Sequence, residues 1–193
     1  MTSTQEQRFL DLVFQNRANQ EIYTRLYDAA LPRWTLVSGC LFQTVWNVLD
    51  GRAPGAGIKD YDLFYFDDSD LSWEAEDVWI RRMDSLLGNI GVEVETRNQA
   101  RVHLWYKNHF GEDYAPLSNQ FEGIDRFLSP TCCFGLYQGE DGAPHVYAPF
   151  GYDDLFDRIV RPNPAAKGEQ HYYAKAERWQ KEWPSLTVLP WRQ

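Results

Sequence analysis

The stretch IKDYDLFYFDD, residues 58–68, decides how this chain is read. Its middle, Asp60–Phe66, is apolar and aromatic enough to be a strand. Side chains on a strand alternate between faces, so Asp60 and Asp62 point the same way. Two carboxylates a few Å apart raise each other's proton affinity, and the pair is costly unless a cation sits between them. A hard cation such as Mg²⁺ takes oxygen ligands and commonly shares them with phosphate. A lone Asp-x-Asp at a strand end is more often a pair of solvated aspartates, so the neighbouring segments carry the argument.

Upstream, Trp34–Val37 is a short strand and Ser38–Gly39 a small-residue turn. The stretch SGCLFQTVWN, residues 38–47, runs from that turn into a helix, Leu41–Leu49, broken by Gly51 and Pro54. Helix N-termini carry free N–H groups that favour phosphate. Downstream, Asp67, Asp68 and Asp70 form a polar turn, and Ser72 caps a helix from Trp73 to Leu87 that ends at Gly88–Asn89. Val92–Thr96 alternates apolar and acidic and reads as a half-buried strand. Laid beside Asp60–Phe66, it would let Glu93 or Glu95 complete a three-carboxylate cluster.

The remaining segments follow the same rules. Residues 5–30 are helical with a break near Asn16–Asn19, and Pro32 closes them. Val102–Tyr106 reads as a strand, and Asn98–Gln99 before it is either a hairpin turn or an irregular link. Ser118–Leu128 reads as a helix. Cys132–Gln138 and His145–Ala148 form a hairpin around Asp141–Gly142. Asp153–Val160 and Gln170–Trp183 read as helices, the second stopped by Pro184. This interleaving predicts an α+β fold, one mixed β-sheet flanked by helices. The expected organisation is a single domain over residues 1–193, with a C-terminal helical layer from about residue 152.

Composition narrows the function classes. With 193 residues the chain can bury a real core, and 16% aromatic residues predict an aromatic-rich one. A net charge of −9 argues against constitutive nucleic-acid binding. No apolar run approaches the roughly 20 residues of a membrane span. The three cysteines, Cys40, Cys132 and Cys133, form no CxxC pair, and no basic-then-apolar signal pattern opens the chain. Free thiols without an export signal point to the cytoplasm. The acidic stretch from Asp60 is not a calcium loop, because Tyr65 and Leu71 occupy the positions that require Gly and Glu. His109, His145 and His171 are scattered, and His103 reads as a packed strand residue. Trp179 and Trp183 read as core residues, or alternatively as a base-stacking wall.

Strand, small turn, helix, Asp-x-Asp strand, helix, acidic strand: this order resembles the nucleotidyltransferase superfamily related to DNA polymerase beta, which includes CCA-adding enzymes. The segment LDGRAPGAGIKDYD, residues 49–62, resembles the Leu-Gly-Arg segment before the aspartates of CCA-adding enzymes. SGCLFQTVWN, IKDYDLFYFD, RNQARVHLWY, APFGYDDLF and YYAKAERW are similar to a bacterial family of nucleotidyltransferase-like proteins, from about Trp34 to Trp183. The resemblance implies that Asp60 and Asp62 bind the metal, Mg²⁺ or Mn²⁺. It implies that Glu95 is the third acid, with Glu93 as the alternative, and that Ser38 and Gly39 form the triphosphate-facing turn. Cys40 stands where the family usually has serine, and a thiol is a poor donor to phosphate. Lys59, Arg97 and Arg101 are candidate phosphate contacts; Arg97, Arg101 and His103 share one parity if the segment is extended throughout, and salt bridges to nearby acids are the competing reading. The implied reaction transfers NMP from an NTP to a hydroxyl-bearing small molecule, protein or RNA and releases pyrophosphate. The alternative is a nucleotide-binding regulatory or partner-binding module with little turnover.

Overall fold

The computed structural model describes residues 3–191; Met1, Thr2, Arg192 and Gln193 of the 1–193 span, and the side chain of Phe110, lie outside the described residues. The chain opens with α1 (Thr4–Val13) and α2 (Arg17–Leu26). Asn16 makes the break between them. Its side-chain oxygen accepts from Ala18 N, and its amide donates to the hydroxyls of Thr44 and Tyr61, each at 3.0 Å. The cap therefore also fastens the helical pair to the sheet.

Strand β1 (Thr35–Val37) turns at Ser38 into α3 (Gly39–Leu49), and a loop leads to β2 (Asp60–Tyr65). Helix α4 (Trp73–Leu87) follows, its first turn capped by the Ser72 hydroxyl, which accepts from Ala75 N. It crosses over to β3 (Glu93–Asn98), which pairs parallel with β2. A parallel pair needs such a crossover, whereas the antiparallel neighbours need only turns. After α5 (Val102–Phe110) come β4 (Gly135–Gln138) and β5 (Pro144–Tyr147). The mixed sheet has the order β3-β2-β1-β4-β5. Next are α6 (Asp153–Phe156), β6 (Ile159–Val160), α7 (Glu169–Glu182) and β7 (Thr187–Val188), with β6 and β7 forming a small parallel pair.

Alternation on β2 sorts the two faces of the sheet. Tyr61, Leu63 and Tyr65 are buried in the main core with Leu36 and Leu136. That core is aromatic. Phe9 stacks on Phe134 at 4.8 Å, Trp179 meets Phe42 edge-on at 5.2 Å, and Trp183 meets Trp46 at 5.3 Å. Helix α7 is thus held against α3 by tryptophans. Asp60, Asp62 and Phe64 take the other face. Its far part is covered where Phe64 and Val37 pack with Ile124 and Phe127, so the aspartates lie at the open part. Among the described residues, no helix is long and apolar enough to cross a membrane.

Three expectations are corrected. Val102–Tyr106 is not a strand: Asn98 accepts from Ala100 N, a 3₁₀ turn over Gln99–Arg101 follows, and α5 begins at once. The alternating apolar residues there are a helix whose Val102 is buried and whose Leu104 is exposed. Ser118–Leu128 holds only a 3₁₀ turn at Ile124–Arg126. Asn119 accepts from the N–H groups of Phe121 and Glu122, and Ser118 bonds Glu122, so local side-chain bonds compete with the helix ladder. The helix read over Asp153–Val160 stops at Phe156, because Arg158 takes φ 59° and the chain enters β6.

One ion pair secures the β3–α4 side. Glu76 and Arg101 meet in the interior with side-chain exposures of 2% and 11%. Glu76 also accepts from Asn98 N at 2.9 Å, and Arg101 Nε donates to Leu71 O at 2.9 Å. Removing one partner of a buried pair strands the other, so Glu76→Ala should cost about 3–5 kcal/mol in urea unfolding. A loss below about 1 kcal/mol would mean that the pair behaves as a solvated surface bridge.

Candidate active site

The turn after β1 is strained and held. Ser38 has φ 58° and ψ −118°, a region that L-residues rarely occupy. Its N–H donates to Phe134 O at 3.1 Å, and its carbonyl accepts from Leu41 N at 2.9 Å and Phe42 N at 3.2 Å. No side chain caps α3. The first N–H groups of a helix have no partner further back within it, and the residues at this start, Ser38 and Gly39, line the same cleft as Asp60 and Asp62.

An open cleft of about 270 Å³ lies between this turn, the start of β2, the Gly57–Lys59 loop and α7. Ser38, Gly39, Lys59, Asp60 and Asp62 line it, as do Lys175 and Arg178 of α7. Neither Lys59, Lys175 nor Arg178 is in an ion pair among the described residues. The other lining acid of α7, Glu182, is paired with Arg52. The cleft wall is braced from behind by Asn47. Its amide donates to Pro54 O at 3.0 Å and Ala56 O at 2.8 Å, and its oxygen accepts from Trp183 Nε1 at 3.0 Å. One buried amide thus joins α3, the loop before β2 and the end of α7.

Asp62 is the strongly perturbed acid. Burial above all, with Asp60 and Glu95 acting the same way, pushes its pKa up to about 6. Lys175 and Arg97 act in the opposite direction. A carboxylate held this far from its usual range fits a cation-binding position. Asp60 and Asp62 are all-oxygen donors on one strand face, which suits Mg²⁺ or Mn²⁺. Among the described residues, no group of three or more His, Cys, Asp and Glu side chains gathers into a metal cage. With two carboxylates, the remaining coordination positions suit water and substrate phosphate, the usual arrangement for Mg²⁺.

The other sequence-predicted residues fare differently. Glu95 stands opposite Asp62, and Glu93 opposite Asp60, in the parallel register. Glu95 does not line the cleft and is paired with Arg97 at 3.5 Å, so the expected three-carboxylate cluster is not assembled. Arg97 likewise stands on the β3 side, outside the cleft. Arg101 is not placed by strand parity at all; it is spent on Glu76. Cys40 is fully buried and donates its thiol to Val37 O at 3.4 Å, with its pKa raised mainly by burial, so its side chain does not reach the cleft. Lys175 and Arg178 escaped sequence reading. The available signal was their spacing from Trp179 and Glu182, which puts one face of α7 in the cleft.

A mixed α+β sheet with helices on it and an acidic strand next to a strained turn defines the class. A solved NMR structure, described as revealing a CCA-adding enzyme head domain, shares this fold with a TM-score of 0.76, 20% identity and 98% of each chain covered. A nucleotidyltransferase family model matches residues 24–188, and the chain belongs to that family. No curated protein matches it.

The raised Asp62 pKa carries a sign. A carboxyl whose folded pKa lies above its unfolded value favours folding while protonated, and that contribution is lost as pH rises from about 4 to about 6. Asp62→Asn should therefore stabilise the ligand-free protein at pH 8, on the order of 2 kcal/mol, and flatten its stability between pH 4 and 6. Urea unfolding across pH checks this; an unchanged pH profile in the variant would remove the assignment.

Proposed function

We propose that the protein is a metal-dependent nucleotidyltransferase that transfers NMP from an NTP to a hydroxyl-bearing acceptor and releases pyrophosphate. The observation that carries this reading is charge placement. In a chain of net charge −9, three cations without ion pairs among the described residues line one cleft with two aspartates: Lys59 beside Asp60, and Lys175 and Arg178 from α7. A polyphosphate bridging a cation at the aspartates and the cationic wall satisfies both halves.

In this mechanism Ser38 and Gly39 present the start of α3 to the phosphates. Lys59, Lys175 and Arg178 neutralise the triphosphate and the departing pyrophosphate. Asp60 and Asp62 would hold Mg²⁺ or Mn²⁺, which would supply Lewis-acid chemistry. The acceptor approaches over β3, on the side of the aspartates away from α7. Its hydroxyl oxygen bonds to the α-phosphorus, the bond to the bridging oxygen breaks, and pyrophosphate leaves. Glu95, in register with Asp62, takes the hydroxyl proton. The whole 1–193 span acts as one catalytic domain, and its free buried thiols suit a reducing compartment such as the cytoplasm. The acceptor is a small molecule, a protein or an RNA; the acidic surface speaks against a standing hold on RNA. A second reading, nucleotide binding with little turnover, is favoured by the pairing of Glu95 with Arg97 instead of with the aspartates.

Asp60→Asn and Asp62→Asn should each abolish metal-dependent NTP turnover in a protein that still unfolds cooperatively. Retained turnover in the folded double variant would overturn the assignment. Thermal stability against each NTP, with and without Mg²⁺ or Mn²⁺, reads binding alone. Lys175→Glu combined with Arg178→Glu should weaken that metal-dependent stabilisation at least tenfold in apparent Kd, and an undiminished shift would place the triphosphate elsewhere.

A further inference from the structure

The buried run of α3 contains four polar side chains, and three are accounted for. Cys40 donates to Val37 O, Thr44 donates to Cys40 O and accepts from Asn16, and Asn47 holds Pro54, Ala56 and Trp183. Gln43 is the exception: it is 91% buried, and its amide makes no hydrogen bond among the described residues. The amide is not among the sealed, unpartnered polar atoms of the interior, so its polar end stays open to solvent. The open side of Gln43 is the cleft, which it lines. It sits one helical turn beyond Gly39, with Nε2 at 3.1 Å from where a Cβ on Gly39 would stand. Bare Cα at position 39 is what admits the amide to the phosphate-facing turn. The rings of Phe42 and Trp179 line the same wall.

We infer that Gln43 binds the nucleoside part of the donor through a neutral group that both donates and accepts a hydrogen bond; this rests on the nucleotide-donor reading above. An amide presents N–H donors and a carbonyl acceptor. Phosphate oxygens would satisfy the first and repel the second, and the phosphates already have three cations. A ribose hydroxyl or a base edge satisfies both ends of the amide. Gln43 is thus a specificity-determining residue: it favours nucleoside triphosphates over bare polyphosphate.

The test is calorimetric titration with Mg²⁺ of the wild type, Gln43→Leu and Gln43→Met against the four NTPs, their 2′-deoxy counterparts and inorganic tripolyphosphate. Both variants keep the side-chain bulk, and their ligand-free thermal midpoints check the fold. The expected result is an NTP affinity weaker by about tenfold, the worth of one such bond, with tripolyphosphate unchanged. A penalty that disappears with 2′-deoxy nucleotides assigns the contact to the ribose hydroxyl, and a penalty confined to one base assigns it to the base edge; either supports the inference. An equal loss for tripolyphosphate, or no loss for any NTP, overturns it. Wild-type protein that binds tripolyphosphate as tightly as any NTP overturns this inference alone, whereas binding of neither overturns the proposed function with it.

Discussion

The cleft depends on the backbone of Ser38. A non-glycine residue at φ 58° and ψ −118° is strained by roughly 1–3 kcal/mol, and it persists only where neighbours over-determine it. Three backbone hydrogen bonds do that here, one of them to Phe134 just ahead of β4. The conformation reverses the chain sharply enough that α3 starts beside the strand end bearing Asp60 and Asp62. Relaxing Ser38 would swing the first turn of α3, and with it Gly39 and Gln43, away from those carboxylates. The strain is stored next to the residues that the proposed chemistry uses.

Electrostatics adds a second, opposing arrangement. Asp62 is buried among acids that raise its pKa, while the cations opposite it have no ion-pair partners among the described residues. The cost falls on Asp62, because Lys59, Lys175 and Arg178 are exposed to solvent. Lys175 and Arg97 offset part of it, lowering the Asp62 pKa but leaving it well above its usual value. In the proposed reaction a metal ion held by the aspartates would offset that cost, and its polyphosphate would meet the cations. Glu182 by contrast is spent on Arg52, which keeps α7 and the loop before β2 in place without neutralising the cationic wall.

Much of this was legible in the sequence, for identifiable reasons. β2 announced itself because strand alternation placed three aromatic or apolar residues on one face and two aspartates on the other. The break at Asn16 and the cap at Ser72 are short-range chemistry, readable from adjacent residues. The two acidic strands do lie side by side, in the parallel direction that a helical crossover allows, and the register that sets Glu95 opposite Asp62 comes from the structure. What failed was long-range or locally contested. Val102, Leu104 and Tyr106 alternate like a strand, but the turn at Asn98 had already redirected the chain. Arg101 looked like a phosphate ligand until Glu76, 25 positions earlier, was found beside it. Lys175 and Arg178 lie more than 110 residues from the aspartates in sequence, so no local pattern could have joined them to the site.

The separation of the two cleft walls along the chain governs when the site exists during synthesis. The aspartates and the phosphate-facing turn emerge from the ribosome early, while α7, which supplies the opposite wall and its Trp183–Asn47 tie, emerges more than 100 residues later. A half-made chain therefore carries the acids and Lys59 without the two cations of α7, Lys175 and Arg178. On the proposed reading, competence would arrive late, when the tryptophans of α7 dock onto α3 and complete the cleft.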